Sequence, residues 1–225
     1  METSETGSFL KSFIISFYLV VVMWCVKWVE FKYDINFASF GIVPRTVPGL
    51  IGILIAPFIH EDFVHLTSNS LPLLITTTML WYFFEEMATK TFLSIYIITG
   101  IGVWLLARPA IHIGASGVIY GLTAFLFFSG LFRRDYRLMA LSLLIIFLYG
   151  SLIWGIFPFI PEISWESHLI GGLVGTFIAF LFRKQGPQRK VYSIEIEEDD
   201  LGEEDEYWNT AEEPGTDEEE EDKQS

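Results

Sequence analysis

Ser116 and His168 are the two residues of this sequence whose types are best suited to making and breaking a covalent bond. A serine hydroxyl is a poor nucleophile until a base takes its proton, and histidine is the usual base. Ser116 lies in Gly114-Ala115-Ser116-Gly117, and His168 closes Ser164-Trp165-Glu166-Ser167-His168. A third polar run reads His60-Glu61-Asp62-Phe63-Val64-His65-Leu66-Thr67-Ser68-Asn69. His65 and Asn69 are four residues apart, so a helix presents them on one face. Both can donate hydrogen bonds to developing negative charge, and one such oxyanion donor contributes about 3–4 kcal/mol in the transition state. Gly-x-Ser-Gly at a helix start adds a backbone N–H where the helix dipole also favours an anion. Glu166, two residues from His168, is on a different helix face, and Glu85 and Glu86 fall at the far end of their segment. With no carboxylate placed to orient the base, the set reads as a Ser–His dyad, and Tyr120, four after Ser116, is positioned to stack on the His168 ring. A metal held by His60, His65 and His168 would lack a carboxylate or thiol ligand and leave Ser116 without a role, so neither metal nor cofactor is expected.

The elements that carry these residues are apolar and long. Of 225 residues, 52% are hydrophobic and only 19% charged, against about 25% charged in a typical soluble chain. Six segments have spanning length, at about 9–29, 63–84, 91–107, 114–132, 138–157 and 166–183; 17–22 residues at 1.5 Å each cover most of a ~30 Å hydrocarbon core. The expected fold is therefore an all-α polytopic bundle of six transmembrane helices. The first segment, preceded by Glu2 and Glu5 and followed by no small-residue cleavage site, reads as a retained anchor and not a signal peptide. Residues 49–59 are apolar but too short to cross, and with Phe31, Tyr33, Phe37 and Phe40 they make 30–60 an aromatic-rich first outer loop at the membrane interface.

Charge sets the orientation and the limits of the domain. The net charge of −14 resides in residues 195–225, which hold 17 carboxylates and one lysine, while the remainder is close to neutral at +2. A nucleic-acid binder driven by basic patches is excluded. The expected organisation is a short N-terminus (1–8), a membrane domain (9–184) and an acidic, disordered tail (185–225). With six spans both termini share a side, and nine Lys/Arg in one set of loops against four in the other put them inside, in the cytoplasm. The expected setting is a prokaryotic cytoplasmic membrane. Segments two, four and six then start at the outer face, which brings all three polar runs to one depth. The single cysteine, Cys25, permits no intrachain disulfide. Oligomeric state is not legible.

Small residues are expected to bring the dyad together. Gly171, Gly172 and Gly175 follow His168 by three, four and seven, and Gly117 and Gly121 flank Ser116. In lipid, small residues let helix backbones approach closely, so segments four and six are expected to pack glycine to glycine, with Gly155 of segment five outside that seam.

With these residues in view, the sequence resembles the rhomboid family of intramembrane serine proteases. The resemblance rests on His60-x4-His65-x3-Asn69, Gly114-Ala115-Ser116-Gly117 and His168-x2-Gly171-x3-Gly175, and it covers about residues 9–184 in order. It implies a six-helix core, cleavage of transmembrane protein substrates near the outer surface, Ser116 as nucleophile and His168 as base. His65, Asn69 and the Ser116 backbone are the implied oxyanion donors, and Tyr120 stands where the family often packs a residue on the histidine. Two features depart from the family pattern. The Trp-Arg pair of the first outer loop is absent, where this chain has Gly49-Leu50-Ile51-Gly52, and the inner end of segment two reads Phe83-Phe84-Glu85-Glu86.

Two other function classes compete with proteolysis. A catalytically silent rhomboid-like binder of membrane proteins would keep the cavity without hydrolysis. A channel or small transporter would need ionisable residues across the whole bilayer, whereas these stop at one depth; the deeper Thr76-Thr77-Thr78 can bond its own helix.

Overall fold

The computed structural model describes residues 2–148, 155–157 and 164–186. Among them are seven helices: α1 (Glu2–Tyr33), the single-turn α2 (Gly52–Ile55), α3 (Phe63–Phe83), α4 (Glu85–Leu106), α5 (Ser116–Arg133), α6 (Tyr136–Leu148) and α7 (Trp165–Leu181). The described residues contain no strand, only an isolated antiparallel bridge between Ile42 and His112. Residues 187–225 of the expected acidic tail and 149–154 of the fifth expected span fall outside the described residues.

Three helices are long and apolar enough to cross a membrane on their own, namely Ser8–Tyr33 within α1, α4 and α5. A fourth candidate joins residues Pro48–Phe58 to α3 across a 72° bend, and Tyr136–Phe147 and α7 are shorter apolar helices. Among the described residues, three to four spans thus pass by length and composition alone, where the sequence pattern predicts six. The shortfall has a local cause. Serines, threonines, Asn69 and His65 dilute α3, and α7 has 17 residues, about 26 Å of rise.

α5 is the centre of the bundle, with 61% of its spanning window buried against 17% for α1. It packs on α3, α4, α6 and α7, around Leu66, Leu80, Ile95, Ile119, Leu122, Phe125 and Leu126, all essentially inaccessible. Outward faces remain apolar: Phe9, Phe13 and Phe17 on α1, Leu105 and Leu106 on α4, and Leu173 and Phe177 on α7 are exposed. Such surfaces are stable against lipid and not against water.

Residues 34–62 fold as a chain of single turns against the end of α4. Arg45, in the left-handed region at φ 59°, donates to the carbonyls of Leu105 (3.1 Å) and Ala107 (2.8 Å). The Trp104 indole donates to the Thr46 carbonyl at 2.8 Å. A cation thus meets the unpaired carbonyls at the C-terminus of α4, where the helix dipole favours it. This anchors the first loop without the Trp-Arg pair that the family pattern would supply.

Candidate active site

The starts of α3, α5 and α7 converge on one cavity of about 580 Å3, whose lining includes His60, His65, Asn69, Ser116, Tyr120, Gly155 and His168. Three stretches far apart in sequence meet because each polar run occupies the first turns of its helix. Ser116 is the first residue of α5, so its backbone N–H has no intrahelical acceptor. His168 is in the first turn of α7 and 8% exposed.

His168 Nε2 lies 2.8 Å from Ser116 Oγ. Its other ring nitrogen, Nδ1, lies 2.8 Å from the Gly155 carbonyl. A carbonyl only accepts, so Nδ1 carries the proton and Nε2 offers its lone pair to the serine hydroxyl. The Gly155 carbonyl therefore fixes the tautomer and ring orientation of His168, as the carboxylate of a Ser-His-Asp triad would, without supplying that group's charge. The Tyr120 ring stacks on His168 with centroids 4.2 Å apart and planes within 7°.

α3 supplies the other wall. Asp62 caps the helix, its Oδ1 accepting from the His65 N–H at 2.7 Å. The His65 ring sits against Gly114, where a Cβ would come within 2.9 Å of the imidazole. Gly114 also has φ +99°, a backbone state that side-chain-bearing residues rarely adopt. Asn69, 4% exposed, donates one amide N–H to the His65 carbonyl at 2.8 Å, which leaves its second N–H for the cavity. His60 is buried edge-to-face on His65, with ring centroids 5.1 Å apart.

The glycine seam holds α5 to α7. A Cβ on Gly171 would overlap the Gly117 carbonyl oxygen, and one on Gly175 would overlap that of Gly121. Gly172 is different, since a Cβ there meets open space. It lies about 100° around the helix from Gly171, and α5 occupies the other side, so the expectation that all three glycines face the partner is corrected. Gly155 is corrected as well, because its carbonyl holds His168 and it is no bystander.

Glu166 does not approach the His168 ring as a hydrogen-bond partner; it pairs with Arg108 at 3.5 Å. His112 joins the same end through Ser164, which in turn bonds Ser167. Burial pushes the His112 imidazole below its ordinary pKa, while its bond to the Arg108 carbonyl opposes the shift. Cys25 is exposed on α1. Among the described residues, no three His, Cys, Asp or Glu side chains group as metal ligands.

Sequence reasoning passed over three contributors. Gly155 left no signal, because a backbone carbonyl has no side-chain identity. Asp62 did, as an Asp directly ahead of an apolar helix. Lys27 on α1 was legible only as a loop charge; its ammonium donates to the His60 (3.0 Å) and Glu61 (2.8 Å) carbonyls and to Glu30 (3.2 Å).

Residues 48–185 match the Rhomboid domain family model. The chain is 31% identical over 197 residues to "Uncharacterized protein Rv1337" of Mycobacterium tuberculosis, covering 84% of this chain and 79% of that one. It is 31% identical over 155 residues to "Uncharacterized protein ML1171" of Mycobacterium leprae, covering 64% of this chain and 60% of that one. It is 34% identical over 137 residues to the Bacillus subtilis protein named "Putative rhomboid protease YdcA", covering 57% and 65% respectively. The chain belongs to the rhomboid family. Family membership and its several apolar helices make it a multi-pass membrane protein.

Proposed function

We propose that this protein is an intramembrane serine endopeptidase that cuts transmembrane protein substrates near the outer membrane surface. The observation that carries the reading is the Ser116–His168 hydrogen bond, with Nδ1 of the histidine committed to a carbonyl and Nε2 free to accept a proton. Ser116 Oγ attacks the scissile carbonyl as Nε2 takes its proton. The oxyanion is met by the Ser116 N–H, His65 and Asn69. The His168 imidazolium then protonates the departing amine, and water, activated by the same histidine, releases the acyl group from Ser116.

The substrate enters from lipid and unwinds at its outer end, because a stable helix hides its carbonyls. Small or helix-weak residues at the cut are favoured for the same reason. The membrane domain comprises six spans with both termini in the cytoplasm, by the Lys/Arg bias of the loops. The relatives described above are bacterial, which fits a prokaryotic cytoplasmic membrane. The reaction uses no cofactor.

The test is a fluorophosphonate probe together with a reconstituted transmembrane substrate. Wild-type protein labels and cleaves, and Ser116→Ala does neither. A wild type that binds substrate but neither labels nor cleaves is the silent binder instead.

A further inference from the structure

The cavity around Ser116 and His168 is not electrically even. Among its described lining residues one side chain is a carboxylate, Glu61, and none is a lysine or arginine. Glu61 is exposed. Its neighbour Asp62 adds negative charge, with one oxygen committed to the His65 N–H. Lys27 is close, but it is turned inward. Its side chain is 13% exposed, it pairs with Glu30 at 3.2 Å, and its other hydrogens go to the His60 and Glu61 carbonyls. Lys27 and Glu30 therefore offset one another, and Glu61, exposed and among the lining residues, has no ion pair or hydrogen bond to its carboxylate among the described residues. The segment ahead of α5 contributes only apolar side chains to the lining, Ile111 and Ile113.

We propose that Glu61 selects substrates carrying a lysine or arginine in the segment flanking the scissile bond on the water side, and disfavours those carrying a carboxylate there. The inference rests on the protease reading above and names the substrate feature that this site takes. An unpaired carboxylate at the mouth attracts a passing cation and repels an anion, and discrimination draws on both. Lys and Arg are sparse in outer flanking segments, so even a modest preference separates few substrates from many. The interaction is exposed to water, so its size is that of a surface ion pair, and it weakens as salt rises.

The experiment uses the full chain in proteoliposomes at low salt, with substrates identical except for Lys, Gln or Glu at one flanking position. Wild type is expected to cleave them in the order Lys, Gln, Glu, with about threefold in kcat/KM at each step, as an exposed pair provides. Glu61→Gln should flatten the series and Glu61→Lys should reverse it. The ratios are read within each variant, so a general loss of activity cancels. A flat wild-type series, or the wild-type order persisting in both variants, overturns the inference while leaving the protease reading intact. Equal cleavage by Ser116→Ala, or no cleavage by wild type, removes the protease reading and this inference with it.

Discussion

The contact between α5 and α7 and the contact between α1 and α3 both join apolar helices, by different means. α5 and α7 meet backbone on backbone, with the α-carbons of Gly171 and Gly175 seated on the carbonyl oxygens of Gly117 and Gly121. α1 and α3 meet through side chains. The Trp24 indole donates to Ser70 Oγ at 3.0 Å, the Phe63 ring packs tilted against Trp24 and edge-to-face with Phe31, and Lys27 reaches the carbonyls ahead of α3. Rotatable side chains can absorb a small shift, whereas two backbones in contact cannot. The residues that must meet within hydrogen-bond reach, Ser116 and His168, lie on the contact without slack.

The largest expected effect removes the chemistry and leaves the seam alone. Ser116→Ala and His168→Ala should each lower turnover at least about 10^4-fold, with an unchanged unfolding midpoint in detergent; near-wild-type cleavage by purified Ser116→Ala would falsify the dyad. Next comes the seam itself. Gly175→Val forces α7 off α5, and a displacement of about 1 Å costs on the order of 100-fold in activity. Gly172→Val, at a position where an added Cβ meets nothing within 4 Å, should stay within about twofold of wild type. Equal activity of the two variants in the same vesicle assay would mean that the backbone contact does not set the dyad.

Asn69→Ala tests the α3 wall of the site. Loss of one oxyanion donor should lower kcat roughly 10–1,000-fold with KM little changed; steady-state kinetics showing the whole effect in KM would make Asn69 a substrate-positioning residue. The smallest effect on chemistry is expected from the side-chain contact. Lys27→Met leaves Glu30 buried without its cation, which should cost about 3 kcal/mol of stability. Turnover per folded molecule should fall by less than about fivefold. A large kcat loss at unchanged stability would show that α1 positions the site as tightly as the glycine seam does.

Much of this arrangement is legible in the chain, for reasons of distance. Each polar run lies at the head of an apolar segment, and i, i+4 spacing places His65 with Asn69 and Ser116 with Tyr120 on single helix faces. Those are local relations. The glycines were legible as a small-residue stripe, yet Gly172 could be sorted from Gly171 and Gly175 only once the direction of α5 was known. The first loop shows the same limit. Arg45 and Trp104 are 59 positions apart in sequence, and nothing in either neighbourhood says that one anchors the end of the other's helix.

By itself the sequence determined which segments are helical and apolar, where polar residues interrupt them, and which side chains could serve as nucleophile and base, because helix periodicity and the cost of polar groups in lipid act within a few residues. Only the tertiary structure decided what holds the His168 ring. The group is the Gly155 carbonyl, 13 residues from His168, and every residue carries a carbonyl, so chain position alone distinguishes it and only folding sets that position. The same holds for Glu61. Its charge is plain in the sequence, and so is the i,i+3 spacing of Lys27 and Glu30 on α1, but that the Lys27 ammonium also goes to the His60 and Glu61 carbonyls and not to the Glu61 carboxylate is set by packing of α1 against the segment ahead of α3.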